Sequence, residues 1–194
     1  MDHNIIYPVL LGIALAACCG FRIFLPFLAV AIASQLNWIE VSPSMQWISG
    51  WQAITCFAVA SVIEIVAYYI PFLDNILDTI TTPLAVVAGT VLAFAVIPMD
   101  DGNALLHWGL SAIGGGTLAG SIQGGTGFIR LFSTKATVGA GNVVIASAEN
   151  AAAITGIFLS FAVPLLAFIL LTTIALWFLW KAITRLTNRE EKIF

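Results

Sequence analysis

The chain has 194 residues, of which 60% are hydrophobic and 9% are charged, and its mean hydropathy is +1.03. A soluble domain carries about 25% charged residues, so the 7 Lys+Arg and 10 Asp+Glu here are too few to cover a water-facing surface. The composition excludes a nucleic-acid-binding protein, which needs a basic surface, and a disordered chain, which is highly charged. The sequence therefore predicts an integral membrane protein with the lipid bilayer as its partner.

The first apolar run covers residues 5–36. As one helix it would be about 48 Å long, which is too long for one straight span and too short for two. It is interrupted by Gly20, Arg22 and Pro26, and a proline inside a helix removes a backbone hydrogen bond that lipid cannot replace. We predict a broken or re-entrant pair of helices over 5–21 and 23–36.

The next two segments are a headgroup-level stretch and a span. Residues 37–50 are polar and aromatic, which is typical of the membrane interface. Residues 51–70 form an apolar span that contains Glu64 and ends at Pro71.

The region after this span combines acidic and apolar residues. Asp74 and Asp78 share one helical face over residues 72–82, which predicts a short helix lying in the interface. Pro83 fits the first turn of a further span that ends near residue 97, and residues 100–102 predict an exposed turn.

The segment at 105–128 is rich in glycine. Gly116, Gly120 and Gly124 recur at intervals of four, which places them along one edge of a helix and favours close helix packing. The alternative interpretation is a bare backbone that borders a cavity. A polar segment follows at 133–141.

The last apolar run extends from Asn142 to about residue 180 and is again too long for one span. We predict bends at Gly156 and Pro164. The tail, residues 181–194, holds four of the seven basic residues, so the positive-inside rule predicts a cytoplasmic C-terminus and an N-terminus outside.

These segments predict an all-α polytopic transmembrane helical bundle of about five to seven membrane segments, two of them interrupted by Gly or Pro. The chain forms one membrane domain over residues 1–194. The two broken runs suggest structural halves, 1–98 and 103–194, related as an inverted repeat, an architecture typical of transporters.

The charges inside apolar segments are the most informative residues: Glu64, Glu149, Arg22 and Arg130. A charge at the centre of a membrane helix costs about 2.5–3.5 kcal/mol, so each needs a partner, water or a neutral form. One hypothesis is a polar core in which the two glutamates face the two arginines and line a substrate or proton path. The alternative is that buried salt bridges only fix the helix register, or that the arginines extend to the interface.

Polar residues accompany each glutamate. Hydroxyl and amide groups bind ions, water or polar substrates, and they also join helices by hydrogen bonds. The candidates are Ser61 and Tyr68 on the Glu64 face, and Asn142, Ser147 and Asn150 around Glu149.

Other chemistry has little support in the sequence. Cys18, Cys19 and Cys56 lie in apolar runs and act as small packing residues, and no cofactor motif is present. Asp74 and Asp78 are weak candidates for a divalent cation.

Several motifs resemble the bacterial membrane-protein family catalogued as domain-of-unknown-function family 4126, over nearly the whole chain. They are residues 20–26 (GFRIFLP), Glu64 with 68–71 (YYIP), 73–75 (LDN), 77–79 (LDT), Pro83 to Gly89, 133–134 (ST), 141–142 (GN) and 148–149 (AE). The resemblance implies a polytopic protein of the bacterial inner membrane and implies no catalytic or binding role.

We therefore expect a small transporter or channel for a small polar solute or ion, with its site around Glu64 and Glu149. So few segments enclose little volume, which favours a homo-oligomer. The alternatives are a non-transporting scaffold or subunit, and an intramembrane enzyme that acts on lipid with Glu64 as its base.

Overall fold

The computed structural model describes residues 5–70, 73–99 and 103–190, and for Asn75 and residues 185–190 it describes the backbone only. Within these ranges the fold is all helical, with eight α-helices and no strand. A 3₁₀ helix at Pro43–Ser49 precedes the third helix, and a π-helical turn at Ala112–Gly116 joins the fifth to the sixth. The helices are α1 (Ile6–Cys18), α2 (Phe24–Gln35), α3 (Trp51–Ala67), α4 (Leu73–Val96), α5 (Ala104–Ser111), α6 (Thr117–Thr137), α7 (Asn142–Ala162) and α8 (Pro164–Glu190).

The described helices are those of a membrane protein. Three segments are long and apolar enough to cross a bilayer: Ile76–Val96, Asn142–Ala162 and Pro164–Thr184. The 3₁₀ helix and α3, bent by 64° at their junction, form a fourth candidate. Large apolar side chains cover the outside of the bundle, with Ile63 62% and Phe158 72% exposed, as expected where lipid is the solvent. The predicted total of five to seven segments stays a prediction.

The first two helices form a hairpin. With 13 and 12 residues, each is about 18–20 Å long and cannot cross a hydrocarbon core of about 30 Å. The Tyr7 hydroxyl donates to the Phe161 carbonyl (3.3 Å) near the end of α7, and the Ser42 amide donates to the Ala95 carbonyl (2.8 Å) near the end of α4. Both ends of the hairpin therefore lie at one end of the bundle, which we call the proximal end. The predicted break between residues 21 and 23 is confirmed.

The hairpin is the centre of the bundle. Six residues of α1 are at most 1% exposed: Leu11, Ala14, Leu15, Ala16, Ala17 and Cys18. This helix packs against α4, α7 and α8, while α2 packs against α3. A Cβ on Gly20 would lie 2.5 Å from the Ala119 carbonyl oxygen, so the hairpin tip approaches α6 closely only because glycine has no side chain.

The predicted short interfacial helix before Pro83 is wrong. α4 runs without a break from Leu73 to Val96 with Pro83 inside it. The Thr82 hydroxyl donates to the Asp78 carbonyl, and membrane helices tolerate proline where local hydroxyl groups supply hydrogen bonds. As a result Asp74 and Asp78 lie on the inward face of a long helix and are only 2% and 9% exposed.

The second long run is two full-length helices rather than one interrupted segment. The predicted break at Pro164 is confirmed, because Pro164 begins α8 and Val163 between the two helices has a non-helical backbone (φ −144°, ψ 77°). Gly156 lies inside α7, where a Cβ would meet the Cys18 sulfur at 2.9 Å; it allows close packing and makes no bend. The two halves of the chain thus differ in helix length, and the inverted repeat stays a prediction.

The spaced glycines act in two ways. A Cβ on Gly116 or Gly120 would collide with Thr90 or Val86 of α4, whereas Gly124 has nothing within 4 Å. Two of the three therefore provide close helix packing, and the third borders open space.

The tryptophan side chains lie at the surface of the bundle. All six tryptophans are at least 39% exposed, as an interfacial belt requires: Trp38, Trp47, Trp51, Trp108, Trp177 and Trp180. The predicted helix end at Pro71 and the turn at 100–102 lie outside the described residues.

Candidate functional site

Five charged side chains are buried together where the hairpin tip meets the surrounding helices. We call them the buried charged cluster: Arg22 (1% exposed), Arg130 (1%), Asp74 (2%), Glu149 (4%) and Asp78 (9%). They come from the hairpin tip, α4, α6 and α7. Glu149 lies seven residues after the start of α7, and Arg130 lies seven residues before the end of α6. Each distance is about 10 Å along the helix. The cluster therefore lies roughly a third of the way into the bundle from the end opposite the hairpin base, which we call the distal end.

Arg22 is held in place by four hydrogen bonds. Its Nη1 donates to Glu149 Oε2 (2.8 Å) and to the carbonyl of Phe21 (2.7 Å), its Nη2 to the carbonyl of Ala146 (3.1 Å), and its Nε to Asn150 Oδ1 (2.6 Å). Arg22 lies in the break between α1, which ends at Cys18, and α2, which begins at Phe24. The break in the hairpin therefore places a positively charged side chain in the core.

Glu149 joins the two arginines. Its Oε2 accepts from Arg22 and also from Arg130 Nη2, while Arg130 Nη1 donates to Asp78 Oδ1 (2.7 Å). Gln123 adds a longer contact to the same Asp78 oxygen (3.4 Å). The order of charges is therefore arginine, glutamate, arginine, aspartate, and each guanidinium has a carboxylate partner, as buried charges require.

Tyr68 contacts both arginines through its ring. The guanidinium carbons of Arg22 and Arg130 are 4.3 and 4.1 Å from its centroid, distances at which cation–π attraction is substantial. Its hydroxyl shares a hydrogen bond with the Thr81 hydroxyl (3.0 Å). This residue, predicted on the Glu64 face, supports the cluster and is 2% exposed.

The α7 start extends the cluster toward the distal end. Asn142 Nδ2 donates to Asp74 Oδ2 and to Thr134 Oγ1 (2.8 Å), and Asn142 is 3% exposed. The two carboxylates of the predicted metal site therefore already have partners. Asp74 accepts a hydrogen bond from the Asn142 amide, and Asp78 pairs with Arg130. Among the described residues no group of three or more His, Cys, Asp or Glu side chains is arranged to hold a metal ion.

Glu64 has a different role from Glu149. Its two carboxylate oxygens accept the backbone N–H groups of Ile23 (2.8 Å) and Phe24 (3.1 Å). These amides open α2 and have no partner within that helix, so Glu64 caps α2 from the neighbouring α3 and complements its dipole. No ion pair within 4.0 Å joins Glu64 to either arginine in the described part of the chain. The structure does not bring the two glutamates together as partners of the arginines.

Two of the remaining candidates, Ser147 and Asn150, lie at the rim of the cluster. The Tyr69 hydroxyl bonds to the Ser147 hydroxyl (3.0 Å) and accepts from Asn150 Nδ2 (3.2 Å). Because Asn150 also accepts from Arg22, this polar chain connects an exposed face to the cluster. Ser61 is buried on α3, and its hydroxyl has no hydrogen-bond partner among the described residues.

The sequence interpretation missed the α4 contribution to the site. Asp74, Asp78 and Thr81 are spaced i, i+4 and i+7, which is one face of a helix. The sequence therefore contains the signal, but Pro83 favours a helix start and so leads to the prediction of a short interfacial helix for these residues. Gln123, which donates to Thr81 Oγ1 (2.9 Å), lies among the glycines of α6 and gave no periodic signal.

The family model described as Domain of unknown function (DUF4126) matches residues 9–185. The chain belongs to this family. No curated protein and no solved structure matches the chain. The matched range includes every residue of the buried charged cluster as well as Glu64, so the cluster lies within the family domain, whose description assigns no activity.

Within the described part of the chain, four polar atoms of the cluster have no hydrogen-bond partner. They are Glu149 Oε1, Asp78 Oδ2, Arg130 Nε and Asn142 Oδ1. Buried polar atoms in membrane proteins are normally paired, so unpaired ones mark places that bind water, ions or substrate groups. With two arginines against three carboxylates, the cluster has a formal charge of −1 when all are ionised. The arrangement is suited to exchanging a proton or binding a small polar species.

Proposed function

We propose that the protein is a small membrane transporter or channel that moves a small polar solute or ion through the buried charged cluster. The observation that carries the proposal is the burial of five charged side chains at the tip of a re-entrant hairpin. Charges inside membrane proteins are costly and are kept chiefly where they form ion or proton pathways. Broken helices that end at mid-depth are a further property of transporters, because their freed backbone groups contact the cargo.

The proposed topology has five crossings and the re-entrant hairpin. α3, α4, the continuous helix formed by α5 and α6, α7 and α8 cross in alternating directions. The distal end is cytoplasmic, since Lys135, Lys181 and the basic tail belong to it. The N-terminus is then outside, and the membrane is the bacterial inner membrane. A homo-oligomer is part of the proposal, since one bundle encloses little volume.

In the proposed mechanism, transport depends on the Glu149 carboxylate, which is shared by two arginines. Because Glu149 Oε2 pairs with both arginines, an incoming anion competes for two guanidinium groups, and a proton on Glu149 weakens both pairs at once. Glu64 acts as a positioning residue that holds the α2 start and hence Arg22. At the proximal end, a cavity between the hairpin base and the end of α4 is lined by residues such as Tyr7, Ser34 and Val96. The hairpin lies between that cavity and the cluster.

Proteoliposomes test the proposal. The full chain is reconstituted with trapped pyranine to follow proton flux, and swelling is recorded with small polar solutes. We expect flux above empty liposomes, reduced at least tenfold by Glu149→Gln. Gln52→Ala, which changes an exposed polar side chain outside both the cluster and the proximal cavity, is the control and should leave flux unchanged. Folded wild-type protein without flux for any probe, or full flux in Glu149→Gln, contradicts the proposal.

A scaffold or subunit without transport is the second candidate. This candidate is favoured because both arginines of the cluster are only 1% exposed and both already have carboxylate partners. The charge-neutral double variant Arg22→Gln/Glu149→Gln separates the two functions. A scaffold shows no flux in either the wild type or the folded variant, whereas a transporter shows flux in the wild type and loses it in the folded variant. The lipid-enzyme alternative with Glu64 as base has less support, because both Glu64 oxygens already accept backbone amides.

A further inference from the structure

An apolar groove with a basic end lies between α6 and α8, and none of the residues of the cluster lines it. This α6–α8 groove has a volume of about 870 Å³, within the range of about 300–1,000 Å³ for ligand pockets. Its apolar walls include Phe128, Phe132 and Trp177, and Lys135 and Lys181 also line it.

The floor of the groove is open at Gly124, where α6 has no side chain. Gly120 and Gly124 both line the groove, but a Cβ on Gly120 would collide with Val86 of α4, whereas a Cβ on Gly124 would meet nothing within 4 Å. The neighbouring Gly125 lies directly against the ring of Phe178, which closes the groove on the α8 side. An elongated apolar ligand therefore lies against backbone on one wall and aromatic rings on the other.

The dimensions match one leaflet of a bilayer. From Gly120 to Phe132 the groove follows 12 residues of α6, or about 18 Å, and half of a hydrocarbon core of about 30 Å is about 15 Å. Lys135 lies one turn beyond Phe132, at the level where headgroups begin. The Lys181 ammonium lies 4.3 Å from the ring centroid of Trp177, which holds that cation at the same groove.

We propose that the α6–α8 groove is a binding site for an anionic phospholipid of the surrounding leaflet, with an acyl chain along the glycine floor and the phosphate between Lys135 and Lys181. The charge complementarity selects this occupant. Both lysines are exposed, and basic pockets between membrane helices bind anionic headgroups. No described acidic residue lines the groove to neutralise them. The site is independent of the proposed transport function.

Native mass spectrometry of the full chain in detergent tests the site. Phosphatidylglycerol and phosphatidylcholine with identical acyl chains are the probes. Each lysine should contribute roughly fivefold to phosphatidylglycerol affinity, so Lys135→Gln/Lys181→Gln should weaken it by about 30-fold and leave phosphatidylcholine unchanged. Lys135→Arg/Lys181→Arg, which keeps both charges, should preserve the preference.

A second pair of variants tests the apolar half of the groove. Gly124→Leu fills the floor and should weaken binding of both lipids. Gly109→Leu is the matched control, since Gly109 also has nothing within 4 Å but does not line the groove, and it should bind both lipids normally.

Equal affinity of the wild type for the two lipids overturns the proposal, as does an unchanged preference in Lys135→Gln/Lys181→Gln. The same spectra report oligomer mass. If Gly124→Leu dissociates an oligomer and leaves lipid binding intact, the groove is an interface between copies of the chain and the lipid proposal is wrong.

Discussion

The bridge made by Glu149 is the contact whose energy can be tested most directly. Glu149→Gln keeps the size of the side chain but removes the only carboxylate that pairs with Arg22 in the described structure. Arg22 then keeps Asn150 and two carbonyls, which are neutral partners. Removing one partner of a buried ion pair costs about 3–5 kcal/mol, because the other charge is left buried and unpaired. We expect a loss of about 3 kcal/mol in the free energy of unfolding, at the lower end of that range, since the neutral partners remain.

The double variant gives the decisive comparison. Arg22→Gln alone should also cost about 3 kcal/mol, so independent effects would sum to about 6 kcal/mol. A charge-assisted hydrogen bond contributes about 1.5–3 kcal/mol, and that energy is lost only once when both residues change. Arg22→Gln/Glu149→Gln should therefore cost about 3–4.5 kcal/mol, with Arg130 still paired to Asp78.

The assay is reversible unfolding by SDS in mixed micelles, followed by circular dichroism, with all variants at one ionic strength. Arg22→Gln combined with Glu40→Gln is the control cycle, because Glu40 is exposed and lies outside the cluster, and its effects should add. If the Arg22–Glu149 double variant equals the sum of the single variants to within about 0.5 kcal/mol, the bridge does not act as a unit and the reasoning fails.

Three further perturbations follow from other contacts. Glu64→Ala should lower the free energy of unfolding by about 1–2 kcal/mol, because the cap of α2 is lost. Glu64→Gln should lower it less. Equal unfolding midpoints for the wild type and Glu64→Ala would contradict the capping role. Tyr68→Phe should lower stability by about 1 kcal/mol for its hydroxyl and Tyr68→Leu by a further 1–2 kcal/mol or so for the ring over both arginines, in the same titration. Gly20→Val should abolish or severely weaken folding, because the new side chain collides with the Ala119 carbonyl. Gly109→Ala should instead stabilise the fold by about 0.5–1 kcal/mol. A folded, equally stable Gly20→Val variant would refute the close approach of the hairpin tip to α6.

Much of the fold follows from local sequence. The membrane class depends on the ratio of apolar to charged residues, and composition alone contains that ratio. The hairpin break was also predictable, because Gly20, Arg22 and Pro26 concentrate helix-breaking and polar residues within seven positions. Arg22, Arg130 and Glu149 were identifiable as exceptions for the same reason, since a charge inside an apolar run has a cost regardless of its partner.

What the tertiary structure decided is the partner of each charge. Arg22 and Glu149 are 127 positions apart, and Arg130 and Asp78 are 52 apart, so no helical periodicity relates them. Glu64 and Glu149 look alike in sequence, each an acid within an apolar segment, yet one caps a helix and the other bridges two arginines. The sequence determined that this protein lies in a membrane and that a few charges are buried there. The packing of α4, α6 and α7 around the hairpin tip decided which charges meet, because burial forces each one to find a partner within reach and only the folded backbone sets that distance.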